Sequence, residues 1–258
     1  MRMYSISGFR HLRQIAALFV VGLLATPAMA FVLPNGTPKW GSPTLGTGAT
    51  ITWGLMPEGT LNTESDVLAP KTNNLANVYS QVGGAGAALT MFQNAFASWA
   101  TVANLTFAQV SDNGATVGAR GNNNTSQPNI RIGAYAFTDG SSLAHAYFPP
   151  FSFISPAFTI GGDIHINHSR NWASEFDLQT TFLHELGHAL GLDHSGVAGS
   201  VMNAAYSGVR RSLTADDVAG ITTLYGVSPV PEPSMALLLG GGLLLVVAAG
   251  RRRSRAAA

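Results

Sequence analysis

The segment from His184 to His194 constrains the fold more than any other part of the sequence, and it reads HELGHALGLDH. His184 and His188 are four residues apart, so on an α-helix they share one face, about one turn from each other. Two imidazoles in this arrangement can bind one metal ion, and Zn²⁺ is the usual occupant. Gly191 can end the helix in a left-handed turn and so bring His194 to the same ion. Three ligands leave a fourth position open for water, as a catalytic zinc requires.

The alternative interpretation of this segment is a helix with some buried histidines. The short pattern HExxH arises by chance, but HExxHxxGxxH fixes five positions and is the metzincin signature. Ser195, directly after the third histidine, resembles the matrixin branch, the family of the matrix metalloproteinases. The resemblance implies an α+β fold with a mixed twisted sheet, three helices, and a cleft between a larger N-terminal and a small C-terminal subdomain.

The resemblance also implies a zinc endopeptidase that hydrolyses peptide bonds in proteins. A zinc ion lowers the pKa of its bound water from about 16 to about 7. Glu185 follows the first ligand directly, where its carboxylate can reach that water without being a ligand. We expect Glu185 to accept the proton of the water and to return it to the leaving amine.

Four further positions match residues that line the substrate cleft of matrixins. Leu143 and Ala144 resemble the edge strand to which a peptide adds through backbone hydrogen bonds. Thr180 and Tyr206 match positions of the S1′ pocket, and a threonine there predicts an open pocket that prefers a medium to large apolar P1′ residue. Met202 matches the Met-turn beneath the zinc, although a lone methionine is more often core filling.

The second, structural zinc of matrixins is not expected here. That site uses an HxD pair and two later histidines; His145 and His165 match the later two, but the HxD pair is missing. Asp163 or His168 could join them, or the two histidines could simply pack and hydrogen-bond. Asp139 and Asp163 match calcium positions of the family, so one weak calcium site is predicted, because carboxylates are the main source of calcium affinity.

Periodicity and capping residues predict the elements around this site. A stripe of apolar residues predicts a helix over 87–101. Ser174 and Asp177 predict that the helix of the first two histidines starts near Glu175, and Thr214 and Asp217 predict a capped last helix. The residues 56–86 look like an insertion to which we assign no role. The remaining predicted elements are strands at 50–55, 105–110 and 129–132 and a helix at 215–225.

The first 30 residues resemble a secretory signal peptide. Arginines precede a short apolar run, and Ala28-Met29-Ala30 is a small-x-small cleavage site before Phe31. The alternative is an N-terminal membrane anchor, but the apolar run is short for a span. We therefore predict a catalytic domain over residues 31–228.

Residues 229–258 resemble a PEP-CTERM sorting signal, with a Val-Pro-Glu-Pro start, an apolar span at 235–250 and a basic stop at 251–255. Such signals belong to Gram-negative bacteria and are processed by an exosortase, which implies an exported protein held at the membrane before processing. The alternative is a plain C-terminal membrane tail. In either case we expect the domain to work outside the cytoplasm, in the envelope, at the cell surface or in the extracellular matrix.

Charge and cysteine content argue against a nucleic-acid partner and against regulation through a cysteine. Residues 31–230 carry seven basic and twelve acidic residues, a net charge of −5, so no nucleic-acid partner is expected. The chain has no cysteine, so it cannot form disulfides or use the propeptide cysteine that keeps matrix metalloproteinases latent. Besides the endopeptidase, a catalytically weak envelope or matrix-binding protein with the same fold stays open as a hypothesis.

Overall fold

The computed structural model describes residues 30–118, 127–150 and 160–229. Within these ranges the chain forms five strands and four helices. The strands are β1 (Ala49–Leu55), β2 (Leu105–Gln109), β3 (Ile130–Tyr135), β4 (Ala144–Ala146) and β5 (Ile164–Asn167). The helices are α1 (Leu75–Gln81), α2 (Ala85–Val102), α3 (Leu178–Ala189) and α4 (Ala215–Tyr225).

The five strands form one mixed sheet in the order β2-β1-β3-β5-β4. All pairings are parallel except that of β4, which runs antiparallel to β5 at the edge of the sheet. β3 lies in the centre and all six of its residues are buried, as expected for a parallel strand covered on both faces. The predicted α+β fold with a mixed sheet is confirmed.

Side chains alternate between two buried layers along the strands, because successive residues of a strand point to opposite faces. On one face, α2 and α3 pack against the sheet in the main core, which includes Ile164, Ile166, Phe92 and Phe182. On the other face, a smaller apolar cluster lies under the segment that follows β1. Its buried members are Met56, Val67, Val117, Tyr135 and Phe137.

The structure corrects the predicted number of helices from three to four. The additional helix, α1, lies in the segment 56–86 and is capped by Asn74, whose side chain accepts a hydrogen bond from the backbone N–H of Asn77. It was missed because only Leu75 and Val78 of its seven residues are buried, too few to produce a helical period.

The predicted start of the zinc-motif helix near Glu175 is also wrong. The helix begins at Leu178, and Asp177 is its N-cap rather than the third residue of a box begun by Ser174. The Asp177 carboxylate accepts hydrogen bonds from the backbone N–H and the hydroxyl of Thr180, at 2.8 and 2.6 Å. Arg211 pairs with the same carboxylate from a distant part of the chain, and this contact favours the later start. The predicted capping box at Thr214 and Asp217 is confirmed.

We expect Asp177→Ala to lower the free energy of unfolding by about 1–2 kcal/mol, because the first turn of α3 loses its cap. The ion pair with Arg211 should contribute less, since the arginine is half exposed. Urea denaturation would measure the loss, with Asp177→Asn as the matched control. Asparagine keeps the capping oxygen, so an equal loss in both variants would contradict the capping role.

The described residues contain no helix that is long and apolar enough to cross a membrane. The predicted signal peptide lies outside them except for Ala30, and the predicted apolar span at 235–250 and basic stop at 251–255 lie outside them entirely.

Candidate metal centre

Three imidazoles converge at the C-terminal half of α3. The Nε2 atoms of His184 and His188 are 3.1 Å apart, and the ring of His194 lies 4.7 Å from that of His188 and 5.3 Å from that of His184, centroid to centroid. One nitrogen from each ring lies within 4.8 Å of the other two, so the three residues can hold one metal ion. This donor set is that of a zinc site with an open position.

The backbone orients two of these rings. The Nδ1 atom of His184 lies 2.7 Å from the carbonyl oxygen of Val201, and that of His188 lies 2.7 Å from the carbonyl oxygen of Leu192. Each carbonyl can accept only from an Nδ1–H, which leaves both Nε2 lone pairs for a metal. Burial lowers the pKa of His184, and burial together with the neighbouring His184 lowers the pKa of His188 to about 3. Both rings are therefore neutral, as metal ligation requires.

Glu185 lies beside the ligands and lines the same cleft. It is 7% exposed, and burial raises the pKa of its carboxyl to about 8. A cation bound by the neighbouring imidazoles favours the carboxylate and so lowers this pKa. The side chain thus has the properties of a group that can both accept and release a proton near neutral pH.

A sharp turn after α3 brings His194 to the other two histidines. Gly191 has a φ of +105°, and a Cβ atom there would overlap the backbone carbonyl oxygen of Pro38. Side chains from other elements satisfy the last carbonyls of the helix: Trp40 donates to Ala189 at 2.8 Å, and the Tyr225 hydroxyl donates to the carbonyl of Leu190 at 2.8 Å.

Met202 packs against α3 at Gly187, which lies between His184 and His188 in the sequence. A Cβ atom at Gly187, between the first two ligands on α3, would overlap the Met202 sulfur. The turn that carries Met202 is held by Asp217 of α4, which is 1% exposed. Its carboxylate accepts hydrogen bonds from the Ser200 hydroxyl and from the backbone N–H groups of Val201 and Met202, at 2.5, 3.0 and 3.1 Å.

A cleft of about 400 Å³ is lined by His184, His194 and Glu185. Residues 141–144, which lead into the edge strand β4, line this cleft together with residues from the segment after Met202. All four residues predicted to contact substrate lie on this cleft: Leu143, Ala144, Thr180 and Tyr206. The Thr180 hydroxyl accepts from the backbone N–H of Arg210 at 2.9 Å, and the Tyr206 hydroxyl accepts from that of Asp177 at 2.9 Å, so both pocket side chains are fixed.

The residues predicted for a second metal are only partly brought together. His145 and His165 lie opposite each other on β4 and β5, and their Nε2 and Nδ1 atoms are 3.0 Å apart. Asp163 does not face the same nitrogen of His165; it lies 4.0 Å from the Nε2 atom and 3.8 Å from the Arg131 guanidinium. Glu64 takes its place, with Oε2 3.0 Å from His165 Nδ1.

The two predicted calcium ligands have other partners. Asp139 accepts hydrogen bonds from the backbone N–H groups of Ser141 and Ser142, at 3.1 and 3.2 Å. Asp163 is buried beside Arg131, whose positive charge disfavours a cation at that carboxylate. The structure brings Asp139 and Asp163 into no common cluster within the described residues.

Sequence reasoning missed Glu64 and the supporting role of the acidic pair in α4. Asp217 was predicted only as a capping residue, and Asp216 was not considered. Asp216 accepts a hydrogen bond from the hydroxyl of Ser195, next to the third histidine, at 2.6 Å. Two consecutive aspartates in the first turn of an otherwise apolar helix were the available signal, since both are buried.

Comparison with known proteins identifies relatives of this chain. The chain is 35% identical over 148 residues to karilysin of Tannerella forsythia, 43% identical over 94 residues to matrilysin of Rattus norvegicus, and 35% identical over 151 residues to interstitial collagenase of Sus scrofa. These matches cover 52%, 34% and 55% of this chain and 28%, 33% and 29% of those proteins, respectively. The chain thus spans a third or less of the length of these relatives.

The family model described as matrixin matches residues 74–226, more than half of the chain. The match starts at the N-cap of α1 and ends just after α4, so it contains the three histidines, Glu185 and Met202. The sequence motif, the mixed sheet and this match agree, and the chain belongs to the matrixin family.

Proposed function

We propose that this protein is an exported zinc endopeptidase that hydrolyses internal peptide bonds of proteins. The observation that supports this most strongly is the convergence of His184, His188 and His194 beside Glu185, on a cleft bounded by an edge strand. The membership of the matrixin family supports the same reaction class.

The three histidines would hold the zinc ion, which supplies a bound water of lowered pKa and a positive charge. Glu185 is the proton acceptor: it is buried, faces the cleft, and is not one of the three converging ligands. The same side chain then delivers the proton to the amine that leaves. Met202 and the hydrogen-bonded rings keep the ligand set in place while Glu185 moves the proton.

The substrate would lie along β4 in an extended conformation. β4 is an edge strand of the described sheet, so its outer backbone groups are free to pair with a peptide. Leu143 and Ala144 lie on the cleft at this edge, and Thr180 and Tyr206 line the same cleft. We assign the space between Thr180 and Tyr206 to the side chain that follows the cleaved bond.

A cleavage-site profile of a denatured proteome tests both the activity and this pocket. We expect cleavage mainly before medium to large apolar residues, since a threonine at position 180 leaves room in the pocket. A profile dominated by glycine or charged residues after the cleaved bond would refute the pocket assignment. Absence of cleavage in a zinc-loaded preparation would refute the endopeptidase and favour a binding protein.

The site of action would be outside the cytoplasm. The backbone N–H groups of Ala30 and Phe31, on either side of the predicted cleavage site, lie 2.7 and 2.9 Å from the Asp216 carboxylate. After cleavage the N–H of Phe31 becomes a charged ammonium group beside this carboxylate, which is a stronger interaction. This contact supports processing at Ala30. We further propose that residues 229–258 act as a PEP-CTERM signal recognised by an exosortase in a Gram-negative envelope.

A further inference from the structure

The segment between β1 and α1, to which the sequence assigned no role, contributes a carboxylate to a second cluster of metal-binding atoms. Glu64 Oε2 and His145 Nε2 each lie 3.0 Å from His165 Nδ1. Around a tetrahedral zinc ion, nitrogen and oxygen ligands are about 3.3 Å apart. The spacing of these three atoms is therefore close to that of ligands around one ion, and it resembles the 3.1 Å between the first two histidines of the catalytic set.

Strand pairing brings the two histidines together. His145 and His165 are directly opposite each other in the antiparallel pair of β4 and β5, so their side chains lie on the same face of the sheet. This is the face opposite α2 and α3, because the neighbours Ile164 and Ile166 of β5 point into the main core. The cluster is thus separate from the catalytic ligands and lies across the sheet from α3.

Backbone hydrogen bonds fix the segment that carries Glu64. Thr63 donates to the carbonyl of Val117 at 3.1 Å, Leu68 donates to that of Ala136 at 2.8 Å, and Thr138 donates to that of Asp66 at 2.8 Å. The side chain of Asn62 donates to Glu64 Oε2 at 2.8 Å. Glu64 is therefore presented to the histidines by an ordered segment and has little freedom to swing away.

The outer nitrogens of both histidines face carboxylates. His145 Nδ1 lies 3.8 Å from Asp66 Oδ2, and His165 Nε2 lies 4.0 Å from Asp163 Oδ2. The His165 Nε2 and Asp163 Oδ2 atoms are buried without a hydrogen-bond partner among the described residues. A carboxylate behind an imidazole is the usual arrangement around a metal-ligating histidine, since it keeps the outer nitrogen protonated and the inner lone pair free.

We propose that Glu64, His145 and His165 bind a second divalent ion, zinc in the native protein. Two imidazoles and one carboxylate form a donor set that suits zinc better than calcium or magnesium, which prefer oxygen ligands alone. The ligand set departs from the family pattern, because its carboxylate comes from the segment before α1 rather than from an HxD pair. The ion would fasten this segment to β4, the strand on which we place the substrate.

Metal content per chain tests this proposal in the Glu185→Gln background, which prevents self-cleavage and leaves both ligand sets intact. The protein is loaded with zinc, dialysed against metal-free buffer and measured by mass spectrometry of the metal. We expect Glu64→Gln to lower the content by one ion per chain, and the matched change Glu58→Gln to leave it unchanged. Glu58 lies in the same segment, but it is exposed, and its side chain accepts a hydrogen bond from the backbone N–H of Ala76.

A content that Glu64→Gln leaves unchanged would overturn the proposal. The comparison does not require the catalytic site to be filled. The metal content of the variant is compared with that of the Glu185→Gln parent, and the expected difference is one ion per chain. If Glu64→Gln does not fold, as judged by circular dichroism, Glu64→Ala in the same background decides the question, since it removes the carboxylate without leaving an amide group beside the histidines. A folded Glu64→Ala protein with one ion fewer than the parent supports the site, and one with the parent's content overturns it.

Discussion

Replacing Glu185 by glutamine is expected to lower kcat by roughly 10²–10⁴-fold, the usual contribution of a general acid–base group. Glutamine has nearly the same size and shape, but its amide cannot accept a proton from water. The zinc content should stay the same, because Glu185 is not one of the three residues whose side chains converge, His184, His188 and His194. Stopped assays with a quenched peptide, in parallel with metal analysis, measure both quantities on one preparation.

The matched control for this change is Glu175→Gln. Glu175 is an exposed glutamate that precedes α3, and the same substitution there should leave kcat unchanged. A Glu185→Gln protein with near-full activity and a full zinc content would show that another group moves the proton. Loss of zinc together with activity would instead show that Glu185 holds the ligand set in place.

Replacing Gly191 by alanine is expected to lower the free energy of unfolding by about 3 kcal/mol or more. Two costs combine: a φ of +105° strains any residue with a Cβ atom, and that atom would overlap the carbonyl oxygen of Pro38. Because the obstacle is backbone, it cannot rotate away as a side chain could. The turn that carries His194 should shift, so the affinity for the catalytic ion should fall as well.

Thermal unfolding of the zinc-loaded protein, together with a zinc titration, measures these effects. A loss of this size corresponds to a fall in Tm of roughly 6–12 °C for a domain of this length. Two neighbouring glycines separate the causes. Gly199 also has a positive φ, of +93°, and Gly196 does not; a Cβ atom at either would meet no atom within 4 Å. Gly199→Ala should therefore be destabilised by backbone strain alone, and Gly196→Ala should be as stable as the parent. If all three variants were as stable as the parent, the role of the turn at Gly191 would be contradicted.

The sequence predicts those site residues whose relative positions follow from their spacing along a single helix and the turn after it. His184 and His188 lie on one helix, so their spacing alone places their rings together, and Gly191 signals the turn that returns His194. The start of α3 could not be found this way, because Ser174 and Asp177 are both good caps by local rules. Contacts with Tyr206 and Arg211, far along the chain, select Asp177.

Glu64 could not be found because nothing near it in sequence indicates a metal. Its neighbours are polar, its segment has no periodicity, and its partners lie on β4 and β5, beyond α1, α2 and two strands. Only the strand register and the backbone bonds of the segment bring the carboxylate to His165. The prediction against a second zinc rested on the missing HxD pair, and in the site proposed above the Glu64 carboxylate would take the place of that pair.

The hydrogen bonds to Asp217 have a consequence for how the chain folds during its synthesis. A chain is synthesised from its N-terminus, so α3 and the turn of Met202 are complete before α4 has emerged. Until then the N–H groups of Val201 and Met202 lack the carboxylate that accepts from them in the finished fold. A chain interrupted before residue 217 therefore contains all three histidines and Met202 but lacks the carboxylate that holds the Met202 turn.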